Sequence, residues 1–417
     1  MEGTSAKGDS MEKLKGLRIS SLESDSEEEA AVVKENRKAV DVEDEDDEDE
    51  DEDLEPVMLG FLEKPEHPWS LLRQSFPSKA GGAPAWLDPV NLPTGRHCVC
   101  DICGKPLRFV LQVYAPITEK ESAYHRTLFV FMCPKMSCLL RDQHEQWKHK
   151  PEQPSRSVKV FRCQLPLSNP FYSSENPRND GTDRPSAPGA VLCDRCGTWK
   201  GDKICGRCKK VHYCSERHQR KDWESVHKYE CRKVDNSLQV SNACSSNGGT
   251  IKSKVLTKKL WPEYEIVDED EVEFGAKVTD DSQNNVMSLV SRDKADDSMD
   301  SIIDGFKMDI DKRTFAIFEE RRSRAPDQVL RYCRSSTAKP LWPMFSGRLP
   351  KADIPSCKHC GGRMIFEFQI LSTLLYYLGV DNGRDSLDWA TIVVYTCESS
   401  CDASVAYKEE FVWVQLY

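Results

Sequence analysis

At 417 residues with 30% Asp, Glu, Lys and Arg, the chain is long enough for two or three domains but too polar for all of it to pack around a core. No run of eighteen apolar residues occurs and the first residues, Met-Glu-Gly-Thr-Ser-Ala-Lys, lack the apolar core of a leader peptide. A soluble, intracellular protein is therefore expected, in which 18 cysteines speak for metal rather than disulfides.

Residues 1–57 hold 22 acidic against 7 basic side chains, a balance of −15, which leaves +4 on the rest of a chain whose net charge is −11. The run Glu43 to Asp53 is acidic throughout, repels itself and cannot bury a core, so an unpacked acidic arm is expected here. It reads either as a solubilising tail or as an electrostatic lure for a basic partner. Phosphorylation of Ser24 and Ser26 would extend its negative field.

From 58 to 185 the pattern is that of a β-rich unit. Cys100-x2-Cys103-Gly precedes a strand in which Leu107, Phe109, Leu111 and Val113 alternate with more polar neighbours, giving one buried face. A near-continuous apolar strand, Leu128 to Met132, leads into Cys133 and Cys138, and a third strand spans Val160 to Leu165. The same order recurs between 256 and 417. There Cys357-x2-Cys360-Gly, Phe366 to Ile370, Ile392 to Thr396 leading into Cys397 and Cys401, and Phe411 to Leu416 follow one another. Phe109 and Phe366, and Gln112 and Gln369, fall at equal offsets from the first cysteine of each copy, so the chain is a duplication. Each copy offers four thiols, Cys100, Cys103, Cys133 and Cys138 in one and Cys357, Cys360, Cys397 and Cys401 in the other, as candidate ligands of one structural zinc. The alternative is that they are buried apolar residues.

Within the second unit, Leu260 to Ile266 reads as a strand, Asp311 to Arg322, Pro326 to Arg334 and Leu371 to Leu378 as helices. The stretches 232–255 and 277–304 are rich in Ser, Asn and Asp and read as an unpacked linker and insertion. The fold class expected is α+β, mainly β: two related β-rich units with a small zinc finger between them.

That finger occupies 190–231. Cys193-x2-Cys196-x8-Cys205-x2-Cys208-x5-Cys214-x3-His218-x8-His227-x3-Cys231 puts eight ligands into 39 residues, enough for two tetrahedral zinc ions. So short a segment has no ordinary core, and metal binding must supply most of its folding free energy. Lys209, Lys210, Arg217, Arg220 and Lys221 make it basic, but no base-reading helix or stacking aromatics accompany the charge, which argues against direct nucleic-acid binding. No glycine-rich phosphate loop, nucleophile elbow or His-Glu-x2-His helix occurs, so an enzyme acting on a small molecule is not expected.

Residues 213–223, Tyr-Cys-Ser-Glu-Arg-His-Gln-Arg-Lys-Asp-Trp, with His227-Lys228, resemble the MYND zinc finger. The resemblance implies interleaved ligation, with Cys193, Cys196, Cys214 and His218 on one zinc and Cys205, Cys208, His227 and Cys231 on the other. It also places Gln219 and Trp223 in a groove for short proline-containing peptides. The Asn-His-Ser-Cys signature of the SET methyltransferases that carry some MYND fingers is absent.

Leu59-Gly60-Phe61, Trp86-Leu87-Asp88-Pro89, Cys103-Gly104-Lys105-Pro106-Leu107, His125-Arg126, Gln328 to Tyr332, Phe366-Glu367-Phe368-Gln369 and Glu410 to Trp413 resemble the programmed cell death protein 2 family, in which His218 in place of cysteine is also usual. The resemblance runs from about residue 58 to the end and implies a non-enzymatic chaperone, cytoplasmic and nuclear, that escorts one basic small-subunit ribosomal protein toward ribosome assembly. A concave seam or an exposed edge strand of the two β-units would hold the client. The competing class is a nuclear adaptor whose finger binds proline-rich motifs of transcription or chromatin regulators.

Overall fold

The β-branched and aromatic runs of the two repeats form strands, and the strands of both repeats close into a single barrel. The computed structural model describes residues 56–148, 155–231, 260–275 and 299–417. The acidic arm as far as 55, the linker at 232–255 and the insertion as far as 298 lie outside them. The strands are β1 (Met58–Glu63), β2 (Lys79–Ala80), β3 (Arg108–Tyr114), β4 (His125–Met132), β5 (Val158–Leu165), β6 (Lys203–Ile204), β7 (His212–Tyr213), β8 (Tyr264–Asp270), β9 (Leu330–Tyr332), β10 (Met364–Leu371), β11 (Thr391–Cys397) and β12 (Tyr407–Gln415).

All but β6 and β7 belong to the barrel. Its circular order is β1, β8, β2, β3, β4, β5, β12, β11, β10, β9 and back to β1, antiparallel throughout. The repeats are related strand by strand, β1 to β5 answering β8 to β12, but their first strands are exchanged. β1 lies between β8 and β9 of the second repeat, and β8 lies between β1 of the first repeat and β2. At the opposite side β5 pairs with β12, Tyr407 opposite Cys163 and Glu410 opposite Val160. Among the described residues the expected exposed edge strand is therefore missing, because each repeat uses the other to satisfy its outer backbone groups.

One apolar cluster draws on all ten barrel strands, among them Leu62, Ala80, Val110, Val130, Val160, Ile266, Leu330, Phe368, Val394 and Val412. Strand β3 is buried on both faces, and so is β10, where alternation predicted only one. Their outer faces are covered by two further clusters, one around Trp86, Phe131 and Trp199 and one around Phe366, Tyr395 and Trp413. Both strands carry a bulge at the same offset, between Phe109 and Leu111 and between Phe366 and Phe368. The residue so turned out of register is Val110 in one repeat and Glu367 in the other.

Glu367 is fully buried and so is its partner Arg126, whose Nη2 donates to Glu367 Oε2 at 2.7 Å. Arg162 on β5 meets Glu410 on β12 in the same way. Both pairs join the first repeat to the second. His125 shares a hydrogen bond of 2.9 Å between its Nδ1 and the Tyr114 hydroxyl and stacks on Phe76.

Residues 326–334, expected as a helix, instead hold β9, since Leu330 is needed inside the barrel and its neighbours pair with both β1 and β10. The helix expected from Asp311 begins at Met299 and ends at Ser323, so residues 299–304 of the expected insertion are helical. A shorter helix, Thr373–Tyr377, stands where Leu371 to Leu378 was expected. No described helix is long and apolar enough to cross a membrane.

Candidate functional site

The finger's two knuckles and its helix bring eight ligand side chains into two groups. Cys193 and Cys196 stand in the first knuckle and Cys205 and Cys208 in the second, which runs between β6 and β7. Ser215 caps the helix α1 (Glu216–Asp222), its hydroxyl accepting from the His218 N–H at 3.2 Å, which places His218 in the first turn beside Cys214. The helix continues through a single wider turn, Trp223–His227, so that His227 and Cys231 share one face.

Cys193, Cys196, Cys214 and His218 thus converge, as do Cys205, Cys208, His227 and Cys231, with the ligand atoms of each group within 4.8 Å of one another. This is the interleaved partition that the resemblance implied. The Cys196 and Cys214 sulfurs are 3.8 Å apart, and Cys208 Sγ is 3.4 Å from His227 Nε2. A tetrahedral ion with bonds of about 2.3 Å to sulfur and about 2.0 Å to nitrogen sets ligand separations of about 3.5–3.8 Å. The three-thiol, one-imidazole donor set of each group therefore fits a zinc ion.

The electrostatics agree. Hydrogen bonds from Cys196 and Cys214 hold the Cys193 thiol far below the ordinary range, while sharing with Cys193 pushes Cys196 up to about 12. Burial opposes ionisation of Cys205, yet the Cys208 backbone N–H and the His227 side chain hold it at about 6. A divalent cation held there would end this competition by taking all three sulfurs as thiolates. His218→Ala is expected to lower the zinc content by one ion per chain and His218→Cys to leave it unchanged, as read by inductively coupled plasma mass spectrometry.

Gln219 and Trp223, both half-buried, line one groove of about 430 Å³ together with Tyr213, Arg207, Glu216 and Arg220. The Trp223 ring also meets the His227 ring edge-on at 5.9 Å, so it serves the ligand shell as well as the groove wall. Tyr213 forms the floor, its hydroxyl donating to Asp222 Oδ2 at 2.9 Å.

Trp199 was not singled out by the sequence, although a tryptophan three residues after a knuckle cysteine was signal enough. It is 1% exposed and packs on Phe131 of β4 with ring centres 4.5 Å apart. Its indole N–H donates to the Leu107 carbonyl, and the Trp86 indole N–H donates to the Thr198 carbonyl, each at 2.9 Å. The finger is thereby fastened to the outer wall of the barrel.

The other candidate ligands also converge. Cys100, Cys103, Cys133 and Cys138 form one group and Cys357, Cys360, Cys397 and Cys401 another, each able to hold a metal ion. Of the cysteines left aside, Cys98 donates to the Pro93 carbonyl, Cys163 and Cys333 are buried, and Cys244 lies outside the described residues.

Residues 56–179 match the N-terminal domain of programmed cell death protein 2, residues 312–416 its C-terminal domain, and residues 193–231 the MYND finger, a zinc-binding module. Programmed cell death protein 2 of Bos taurus is 36% identical over 368 residues, covering 86% of this chain and 96% of its own. Programmed cell death protein 2-like of Homo sapiens is 28% identical over 369 residues, 84% of this chain and 92% of its own. A Schizosaccharomyces pombe protein named Probable 20S rRNA accumulation protein 4 is 31% identical over 121 residues, 25% of this chain and 28% of its own. No solved structure matches. With both terminal domains matched around a MYND finger, and a relative more than one-third identical along most of both chains, this chain belongs to the programmed cell death protein 2 family.

Proposed function

We propose that this chain is a non-enzymatic chaperone that holds one basic small-subunit ribosomal protein and escorts it between cytoplasm and nucleus for ribosome assembly. The observation that carries this reading is family membership joined to similarity with a fission-yeast protein named for 20S rRNA accumulation. Charge supports it. Beyond the acidic arm, β8 and the residues after it expose Asp268, Glu269 and Glu273, a second acidic surface suited to a basic client. A cleft of about 880 Å³ lies over the β5–β12 seam between the repeats, lined by Phe161, Gln164, Leu165, Asp402, Val405 and Tyr407 among others. It offers apolar and polar groups side by side for an unfolded segment. In this reading the finger carries two structural zinc ions.

The groove at Gln219 and Trp223 favours a second reading, an adaptor that binds proline-containing motifs. One experiment separates the two. The tagged chain, and a variant with Gln219→Ala and Trp223→Ala, are purified from ribonuclease-treated cells and their companions identified by mass spectrometry. The chaperone reading expects one near-stoichiometric small-subunit ribosomal protein on both. Chromatin or signalling proteins lost from the variant would replace it with the adaptor.

A further inference from the structure

The two cysteine groups of the barrel are built as the finger's are. Cys100 and Cys103 lie in the turn before β3, Cys133 follows β4 and Cys138 lies in the first turn of the helix Met136–Gln146. Cys357 and Cys360 lie in the turn before β10, Cys397 ends β11 and Cys401 follows in the next turn. The sulfurs of Cys103 and Cys133 are 3.6 Å apart, those of Cys357 and Cys401 3.7 Å, and those of Cys360 and Cys397 3.6 Å. A disulfide needs about 2.05 Å. The edge of a tetrahedron with metal–sulfur bonds of about 2.3 Å is about 3.8 Å.

The backbone gives an independent comparison. In all four Cys-x2-Cys turns of the chain, the residue four places after the first cysteine donates its N–H to that cysteine's carbonyl. The bonds are Gly197 to Cys193 at 2.7 Å and Lys209 to Cys205 at 3.0 Å in the finger, and Gly104 to Cys100 and Gly361 to Cys357, both at 2.8 Å, in the barrel. Those four residues all adopt left-handed backbone, with φ of 62°, 54°, 65° and 73° in the same order. Lys209 shows that the finger accepts this conformation even without glycine, as a constrained ligand loop would require. In the second barrel group the amides of His359 and Gly362 point at Cys357 Sγ and Cys360 Sγ, at 3.5 and 3.4 Å, as donors to thiolates do.

Burial of cysteines as small apolar residues does not account for this. Cys360 is exposed and Cys103 only half-buried, yet both aim their sulfurs at the same centre as their buried companions.

We infer that Cys100, Cys103, Cys133 and Cys138, and separately Cys357, Cys360, Cys397 and Cys401, are two closed structural zinc sites, one in each half of the barrel, in addition to those of the finger. Each clamps the mouth of one hairpin, β3–β4 or β10–β11, to the turn that precedes it. The assignment stands apart from the chaperone reading and does not depend on any client.

Zinc per chain is measured on the full-length protein, purified without chelator, by native mass spectrometry with plasma emission analysis of the same sample. Four ions are expected, and three in a Cys357→Ser/Cys360→Ser variant. Should that variant fail to fold, the natural chain still decides the matter. Iodoacetamide mapping is expected to find all eight barrel cysteines protected until a chelator is added. Two ions per chain, or prompt alkylation of the barrel cysteines in the folded protein without chelator, would overturn the assignment.

Discussion

Glu367→Ala is expected to destabilise the barrel by about 3–5 kcal/mol, because it strands a buried guanidinium. Arg126 and Glu367 are both fully enclosed. The remaining hydrogen-bond partners of Arg126 are the Ser400 and Thr396 hydroxyls and the Ala115 carbonyl, none of which carries charge. A double variant, Arg126→Met with Glu367→Leu, removes both charges at similar volume and should recover most of the loss. Urea unfolding followed by tryptophan fluorescence measures both. An alanine variant with the natural midpoint would mean that water reaches Arg126 and that the pair does not seal the barrel.

The same pair sets a pH dependence. Burial alone would raise the Glu367 carboxyl, but the Arg126 charge outweighs it and holds the carboxyl below its usual range. A depressed value in the folded chain gives stability that is complete above the unfolded value of about 4.3–4.5 and is lost as pH falls through the folded one. The natural chain should therefore lose stability below about pH 4.5 more steeply than the uncharged double variant.

Trp199→Ala is the second large effect, about 3–5 kcal/mol from the cavity left against Phe131 and Trp86. The residue belongs to the finger by sequence, yet the loss should fall on the attachment between finger and barrel. The natural chain is expected to melt in one transition. The alanine variant should show a separate, chelator-sensitive transition of the finger and faster proteolysis between residues 166 and 192. Trp199→Phe keeps most of the packing and should restore the single transition, leaving only the loss of the bond to Leu107. If the alanine variant melts as one unit at the natural temperature, the finger is held elsewhere.

The candidate ligands of the finger were legible as a set because their spacing is itself the chemistry. The resemblance supplied their interleaved partition, and nothing in the fold had to be known to group Cys193 with Cys196. Strands β3, β4, β10 and β11 were legible because their apolar runs are long. Closure of the barrel was not, since it depends on β2, with two residues, and β9, with three, where pairing rather than composition decides the structure. The misread helix at Pro326 to Arg334 belongs to the same class of error. A proline and three apolar residues at helical spacing carry little information when Leu330 is wanted by strands on either side. Glu367 and Arg126 were visible as family residues, but their partnership spans 241 positions and is set by a bulge that alternation does not announce.

The exchange of first strands has a consequence in time. β1 leaves the ribosome before any other strand of the barrel, yet both its neighbours, β8 and β9, are made after the whole first repeat and the finger. Its backbone groups must wait through the synthesis of the intervening chain, and the loop that their pairing finally closes is among the longest in the molecule. A chain assembled in this order cannot complete its first half before its second exists. During its own synthesis, the chain therefore carries its first strand unpaired until the second repeat is made.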